Sequence, residues 1–170
     1  MQILRKARVA INRCLYPHYF AGFNIRGLMS DRELFGLASL VRQLPARSVI
    51  LEIGVYFGKS TFFIEKAIGA KAIHHIVVDT FETGVQGDAG SQRRNKFEEN
   101  MAKYITRIDV WEMNSRDLEE RLRKEDIQVD MAFIDGDHSY VGVRSDIHAV
   151  LAHSKPNALL CLHDFMKKCG

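Results

Sequence analysis

From Ser48 onward the chain alternates short apolar runs with amphipathic stretches, and this alternation restricts its fold more than any other feature. Buried parallel strands read as unbroken apolar runs, and the crossovers between them need helices that cover both faces of the sheet. Five runs qualify as strands: Val49 to Ile53, Ile73 to Val78, Ile108 to Met113, Met131 to Ile134, and Ala158 to Leu162. Helices are expected at about 59–68, 91–105, 115–124 and 139–153, the last with Val143, Ile147, Val150 and Leu151 as its inward stripe. Gly69 stops the first of them. The fold class that follows is α/β, a doubly wound, mostly parallel sheet with helices on both faces.

Two further helices precede this pattern. Residues 3–15 place Ile3, Leu4, Ala7, Ile11 and Leu15 on one apolar face opposite basic side chains. Ser30 followed by Glu33 reads as a capping box opening a helix through about Gln43, which Pro45 terminates. The expected organisation is a helical extension over 1–45, packed on a single globular domain over 46–170. With 170 residues, 46% hydrophobic and 26% charged, one compact domain with a real core is the default.

The net charge of +3 is too small for an extended nucleic-acid surface, although Arg5, Lys6, Arg8 and Arg13 make the amino terminus locally basic. Cys14, Cys161 and Cys169 form neither an even disulfide framework nor a closely spaced zinc set. The opening apolar stretch is broken by Arg8, Asn12 and Arg13, and no later run is long enough to span a bilayer. A soluble, cytoplasmic protein is expected.

The first strand runs into Glu52-Ile53-Gly54-Val55-Tyr56-Phe57-Gly58-Lys59-Ser60-Thr61, a strand, a glycine-bearing turn and a helix start. Glycine belongs where the backbone turns sharply and a ligand approaches closely. The second strand then ends at Asp79, about twenty residues beyond Gly58, the spacing at which a carboxylate meets a ribose in nucleotide-binding βαβ units. A purely structural glycine turn, with Asp79 capping the loop at Thr80, is the plain alternative. Three cofactor classes compete. A phosphate-binding loop needs four residues between its glycines, and only Val55, Tyr56 and Phe57 stand here. A dinucleotide loop wants small residues where Tyr56 and Phe57 stand. S-adenosylmethionine carries no phosphate, and its sulfonium, amino acid tail and ribose suit the acidic Glu52 and Asp79, so the turn favours the methyl donor.

A second cluster lies at the ends of the fourth and fifth strands: Phe133-Ile134-Asp135-Gly136-Asp137-His138-Ser139-Tyr140 and Leu162-His163-Asp164-Phe165. In a doubly wound sheet these ends face one crevice, so Asp135, His138, His163 and Asp164 are candidates for a common site holding a divalent ion. Each also has a plain reading: Asp137 as a helix cap, His138 as a surface residue, His163 as a core histidine.

Over about residues 45–165 these motifs, with Val78-Asp79-Thr80-Phe81-Glu82, resemble the class I methyltransferases related to macrocin and rhamnosyl O-methyltransferases and cephalosporin hydroxylase-like proteins. The resemblance implies a Rossmann-like fold, S-adenosylmethionine at the end of the first strand beside Glu52, Gly54, Gly58, Ser60 and Thr80, ribose binding by Asp79, and Ser115 near the adenine. It also implies magnesium, or another divalent metal, held by Asp135 and an acidic pair whose positions are here His163 and Asp164, with His138 as base. The acceptor implied is a hydroxyl on a small molecule or sugar. Members of that family continue with further strands toward the usual seven, whereas this chain stops at Gly170. An open sheet edge, inviting pairing with another chain, is therefore expected, and a fragment, a truncated form and a homo-oligomer covering its own edge all stay open. Two rival classes stay open, a non-catalytic methyltransferase-like binding protein and a glycine-loop oxidoreductase.

Overall fold

The structure, a computed structural model, describes residues 16–82 and 90–163. The helix expected over 3–15, the glycine-bearing stretch 83–89 and everything beyond His163 lie outside the described residues. Five strands form one sheet in the order β3-β2-β1-β4-β5, with every neighbouring pair parallel. They are β1 (Val49–Ile53), β2 (His74–Asp79), β3 (Ile108–Glu112), β4 (Val129–Ile134) and β5 (Ser154–Leu162). The helices are α1 (Asp31–Gln43), α2 (Lys59–Ile68), α3 (Gly90–Met101), α4 (Leu118–Lys124) and α5 (Tyr140–Ala152), preceded by a 3-10 helix at Pro17–Asn24. This is the doubly wound arrangement read from the apolar runs. The chain moves outward from β1 through β2 to β3, then returns to add β4 and β5 on the other side. No described helix is long and apolar enough to cross a membrane.

The capping box is present as expected: Glu33 N–H donates to Ser30 Oγ at 3.4 Å and Ser30 N–H donates to Glu33 Oε2 at 2.7 Å. Leu34, Leu37, Ala38 and Val41 then recur at helical spacing and are buried against the body of the domain. Phe63 of α2 is the anchor for this layer, with ring centroids 4.8 Å from Tyr19, 5.5 Å from Phe23 and 5.6 Å from Phe35. Strand alternation divides the core in two. Ile50, Val77, Met131 and Phe133 face the α1–α2 side, while Leu51, Ile53, Ile76, Val78, Ala132 and Ile134 face Leu118, Leu122, Ala149 and Val150.

Three boundaries differ from the periodicity by about three residues or more. Helix α3 ends at Met101 rather than about 105, and a 3-10 turn at Ile105–Arg107 follows. Tyr104 packs edge-on against Phe62 at 5.7 Å and Arg107 is tied to Glu65, which draws the chain out of the helix. The segment expected as helix from 115 starts as a 3-10 turn, Ser115–Asp117, before α4. Strand β5 begins at Ser154, ahead of the expected Ala158, with an irregularity opposite Val129–Met131 that accommodates Pro156 and the left-handed Asn157.

Charge is buried beneath α2. His75 lies fully buried between two carboxylates, with Nδ1 2.8 Å from Glu65 Oε1 and Nε2 3.4 Å from Glu52 Oε2. Thr61 Oγ1 donates to Glu52 at 2.8 Å, and Arg107 Nε donates to Glu65 at 2.6 Å. Burial alone would depress the imidazole's pKa, but hydrogen bonding and Coulomb attraction from Glu52 and Glu65 outweigh it and push it up to about 9. A group whose folded pKa is raised contributes stability that is complete below its unfolded value of 6.5 and is lost as pH rises through about 9. Urea unfolding at pH 6.5, 7.5 and 9 should therefore show stability falling across this window. His75→Gln should flatten the trend and cost about 3 kcal/mol at pH 6.5, because it strands two buried carboxylates; a parallel decline in both proteins would assign the trend elsewhere.

Candidate active site

Strand register lays out the site. Ile53 pairs with Val78 on one side and with Ile134 on the other, and Ile134 pairs with Leu162. The next residue of each strand, Gly54, Asp79, Asp135 and His163, therefore emerges along one edge. The ladder holds them there, with Gly54 N–H donating to Val78 O at 2.9 Å, Asp135 N–H to Ile53 O at 2.8 Å and His163 N–H to Ile134 O at 3.0 Å. All four line a cleft of about 690 Å³ at the carboxyl ends of the strands, a size suited to a small-molecule ligand. The crevice opens where the winding reverses between β1 and β4.

The first glycine makes the sharp turn that the sequence implied and borders the cleft, and a second constraint also acts on it. Gly54 has φ +83°, and a Cβ there would stand 2.3 Å from the main-chain oxygen of Asp135. Its close neighbour is thus the β4 turn, which packs against the β1 turn. Gly58, expected to admit a ligand, does not border the cleft. It caps α2 with φ +84°, and a Cβ would meet Phe97 at 3.0 Å and Met101 at 3.1 Å, so its bareness serves helix packing. Glu52 also departs from expectation. Strand alternation turns it away from the cleft into the His75 cluster, where it is fully buried.

The remaining cofactor candidates Ser60, Asp79, Thr80, Ser115 and Asp135 do line the cleft, as do His138 and His163. Asp164 lies outside the described residues. Asp79 clamps the glycine turn: Oδ2 accepts from Val55 N–H at 2.9 Å and Tyr56 N–H at 3.2 Å, and Oδ1 accepts from Phe81 N–H at 2.7 Å. Tyr56 has φ +50°, and its ring stacks on Phe57 with centroids 4.1 Å apart. Behind Ser115 sits Asp146, fully buried, with no hydrogen-bond partner on either oxygen. Burial pushes its carboxyl pKa up, and the adjacent Ser115 side chain offsets only part of that although no aligned bond forms.

On the far side, His163 Nδ1 lies 2.8 Å from Asp135 Oδ1, an ion-pair contact rather than an aligned hydrogen bond, and Nε2 lies 3.8 Å from Glu33 Oε1. Burial pushes the Asp135 carboxyl up to about 6 against the pull of His163 and His138. Magnesium prefers a shell of oxygen ligands. The described part of the cluster offers one carboxylate, Asp135, and two imidazoles, His138 and His163, and no group of three or more His, Cys, Asp or Glu side chains is placed to hold a metal among the described residues. These residues do not by themselves fit a magnesium ion.

Several wall residues were not anticipated from the sequence. Arg93 of α3 reaches Asp79, and Arg26 stacks over the Tyr56 and Phe57 rings at 5.7 Å. Lys59 packs its stem on Gly27, and burial, partly offset by Asp31, holds its pKa below the ordinary lysine value. No spacing rule marks a side chain delivered from the middle of a polar helix or from an irregular segment.

A parallel sheet whose strand ends meet in one crevice is the framework of nucleotide-type cofactor enzymes. Residues 51–165 match a family model described as a methyltransferase domain, and the chain belongs to that family. No curated protein matches it. Among solved structures it is similar to an O-methyltransferase from Bacillus cereus in complex with S-adenosylhomocysteine, at 21% identity over 82% of this chain and 60% of that one, with a TM-score of 0.62. A TDP-rhamnose 3'-O-methyltransferase of calicheamicin biosynthesis matches at 16% identity over 77% and 61%, with a TM-score of 0.57. A methyltransferase from Geobacter sulfurreducens in complex with S-adenosylhomocysteine matches at 13% over 82% and 50%, with a TM-score of 0.53. These likenesses show the fold, and the chain spans about three fifths of the length of the first two.

The contact between the two turns predicts that Gly54→Ala loses at least about 2 kcal/mol, from the left-handed backbone and the clash with Asp135. Thermal melting checks this, and an unaltered midpoint would show that the turns tolerate separation.

Proposed function

We propose that the chain is an S-adenosylmethionine-dependent O-methyltransferase acting on a hydroxyl of a small molecule or sugar. The observation that carries this reading is the placement of Asp79, Asp135, Ser60 and Ser115 around one cleft at the winding reversal of a methyltransferase-family domain. Asp79, at the end of β2, is the ribose partner, and Thr80 borders it. Ser115 faces the adenine, while Ser60 and the Gly54 turn face the amino acid tail. The Tyr56 ring offers its negative face to a cation. Residues 16–45, the described part of the expected helical extension, accompany this domain, and Arg26 to Met29 line the cleft together with the strand ends.

When bound, the cofactor supplies an electrophilic methyl group on a sulfonium. The cleft has to align an acceptor oxygen with that methyl and remove the hydroxyl proton. His138 is the base: its imidazole lines the cleft and stands close enough to Asp135 for their charges to interact. The Asp135 carboxylate steadies the imidazolium that results. Transfer would exchange the carbon–sulfur bond for an oxygen–methyl bond and give S-adenosylhomocysteine, and His138 would hold the proton taken from the acceptor. No step is routed through a metal.

Calorimetry with S-adenosylhomocysteine tests the cofactor half. Asp79→Ala should weaken binding at least about tenfold, and an unchanged dissociation constant would remove the ribose role. His138→Ala should retain cofactor affinity while turnover on a hydroxylated acceptor falls about 100- to 10,000-fold. If cofactor binding collapses instead, His138 is structural. A protein that binds S-adenosylhomocysteine but transfers no methyl to any of a panel of hydroxylated acceptors would fit the non-catalytic alternative.

A further inference from the structure

We infer that Arg93 sets the affinity for the cofactor by occupying the carboxylate that the ribose needs. This rests on the ribose role proposed for Asp79. A carboxylate offers about four lone-pair positions. In this structure Asp79 already receives three main-chain donors, from Val55, Tyr56 and Phe81. The Arg93 guanidinium adds contacts to both oxygens, 3.3 Å to Oδ1 and 3.2 Å to Oδ2. Nothing remains for two ribose hydroxyls.

One of these donors is free to leave. The three amides are fixed in the turn after β1 and in the chain leaving β2, so removing them would dismantle the fold. Arg93 comes from α3, at the end of a long side chain. Its hold on Asp79 is also poor. Both contacts come from one terminal nitrogen rather than from the two-pronged fork that makes arginine–carboxylate pairs strong, and its Nε is buried without a partner. Another guanidinium nitrogen donates to the main-chain oxygen of Glu82, which keeps the group close to the site. With its side chain only 11% exposed and its charge 5.5 Å from the Tyr56 ring, Arg93 fills the space in front of Asp79. The ribose therefore enters by exchange, one of its hydroxyls taking the position on Oδ1 that the guanidinium gives up.

A residue that competes with a ligand lowers its affinity, so removing it raises affinity. Arg93→Met should bind S-adenosylhomocysteine roughly fivefold more tightly than the native chain, the scale of a partly exposed ion pair. Arg93→Gln should lie between the two. The gain must depend on the diol: adenosine should bind more tightly to Arg93→Met than to the native chain, whereas 2',3'-dideoxyadenosine should bind both alike. Calorimetry on the three proteins, with folding checked by circular dichroism, reads these outcomes. Equal or weaker S-adenosylhomocysteine binding by both variants, with the native protein binding normally, overturns the competition and leaves the ribose reading standing. If Asp79→Ala binds as well as the native protein, the ribose reading itself fails and takes this inference with it.

Discussion

The pairing of β1 with β2 on one side and β4 on the other is the constraint on which the site depends. Parallel register puts Ile53, Val78 and Ile134 in one row, so three chain segments far apart in sequence leave the sheet at the same height. Two bare turns then come into contact, Gly54 against the main chain of Asp135, with no room for a methyl group between them. A polar group at the end of any one strand would be an ordinary surface residue. Together, and at that spacing, they enclose a cavity.

Buried polarity is sorted by position along the strands. Glu52 and His75 of the sheet meet Thr61 and Glu65 of α2, and Arg107 joins Glu65. Asp79, Asp135 and His163 lie at the strand ends and line open space. Residues of one strand, His75 and Asp79 of β2, are thereby committed to different tasks. The cluster under α2 fastens helix to sheet, and the groups at the edge keep exposure to a ligand.

The strand ends were legible because apolar runs and the polar residues closing them are local signals. β1 and α2 fall where the pattern placed them, and Ser30 with Glu33 forms the capping box its spacing implied. Asp79, Asp135, His138 and His163 all reach the cleft, since the topology that gathers them follows from a doubly wound order. Glu52 was misplaced because a motif position says nothing about which sheet face it occupies; alternation from Ile50 would have sent it inward. Gly58 was misread because a glycine beneath a later helix and one beneath a ligand look alike until Phe97 and Met101 are in place. Arg93 carried no signal, being one basic residue among several on a polar helix. The early end of α3 and the early start of β5 were set by long-range contacts, Arg107 with Glu65 and β5 with β4, which no periodicity records.

The stem of Lys59 lies against Gly27, where an added Cβ would come within 2.8 Å of it. That contact rivets an irregular segment to the first turn of α2 at a single point. One residue further on, Leu28 is 75% exposed and unconstrained by packing. A packed Gly27 beside an exposed Leu28 means that a substitution at position 28 reshapes one rim of the cavity while the contact beneath it is kept.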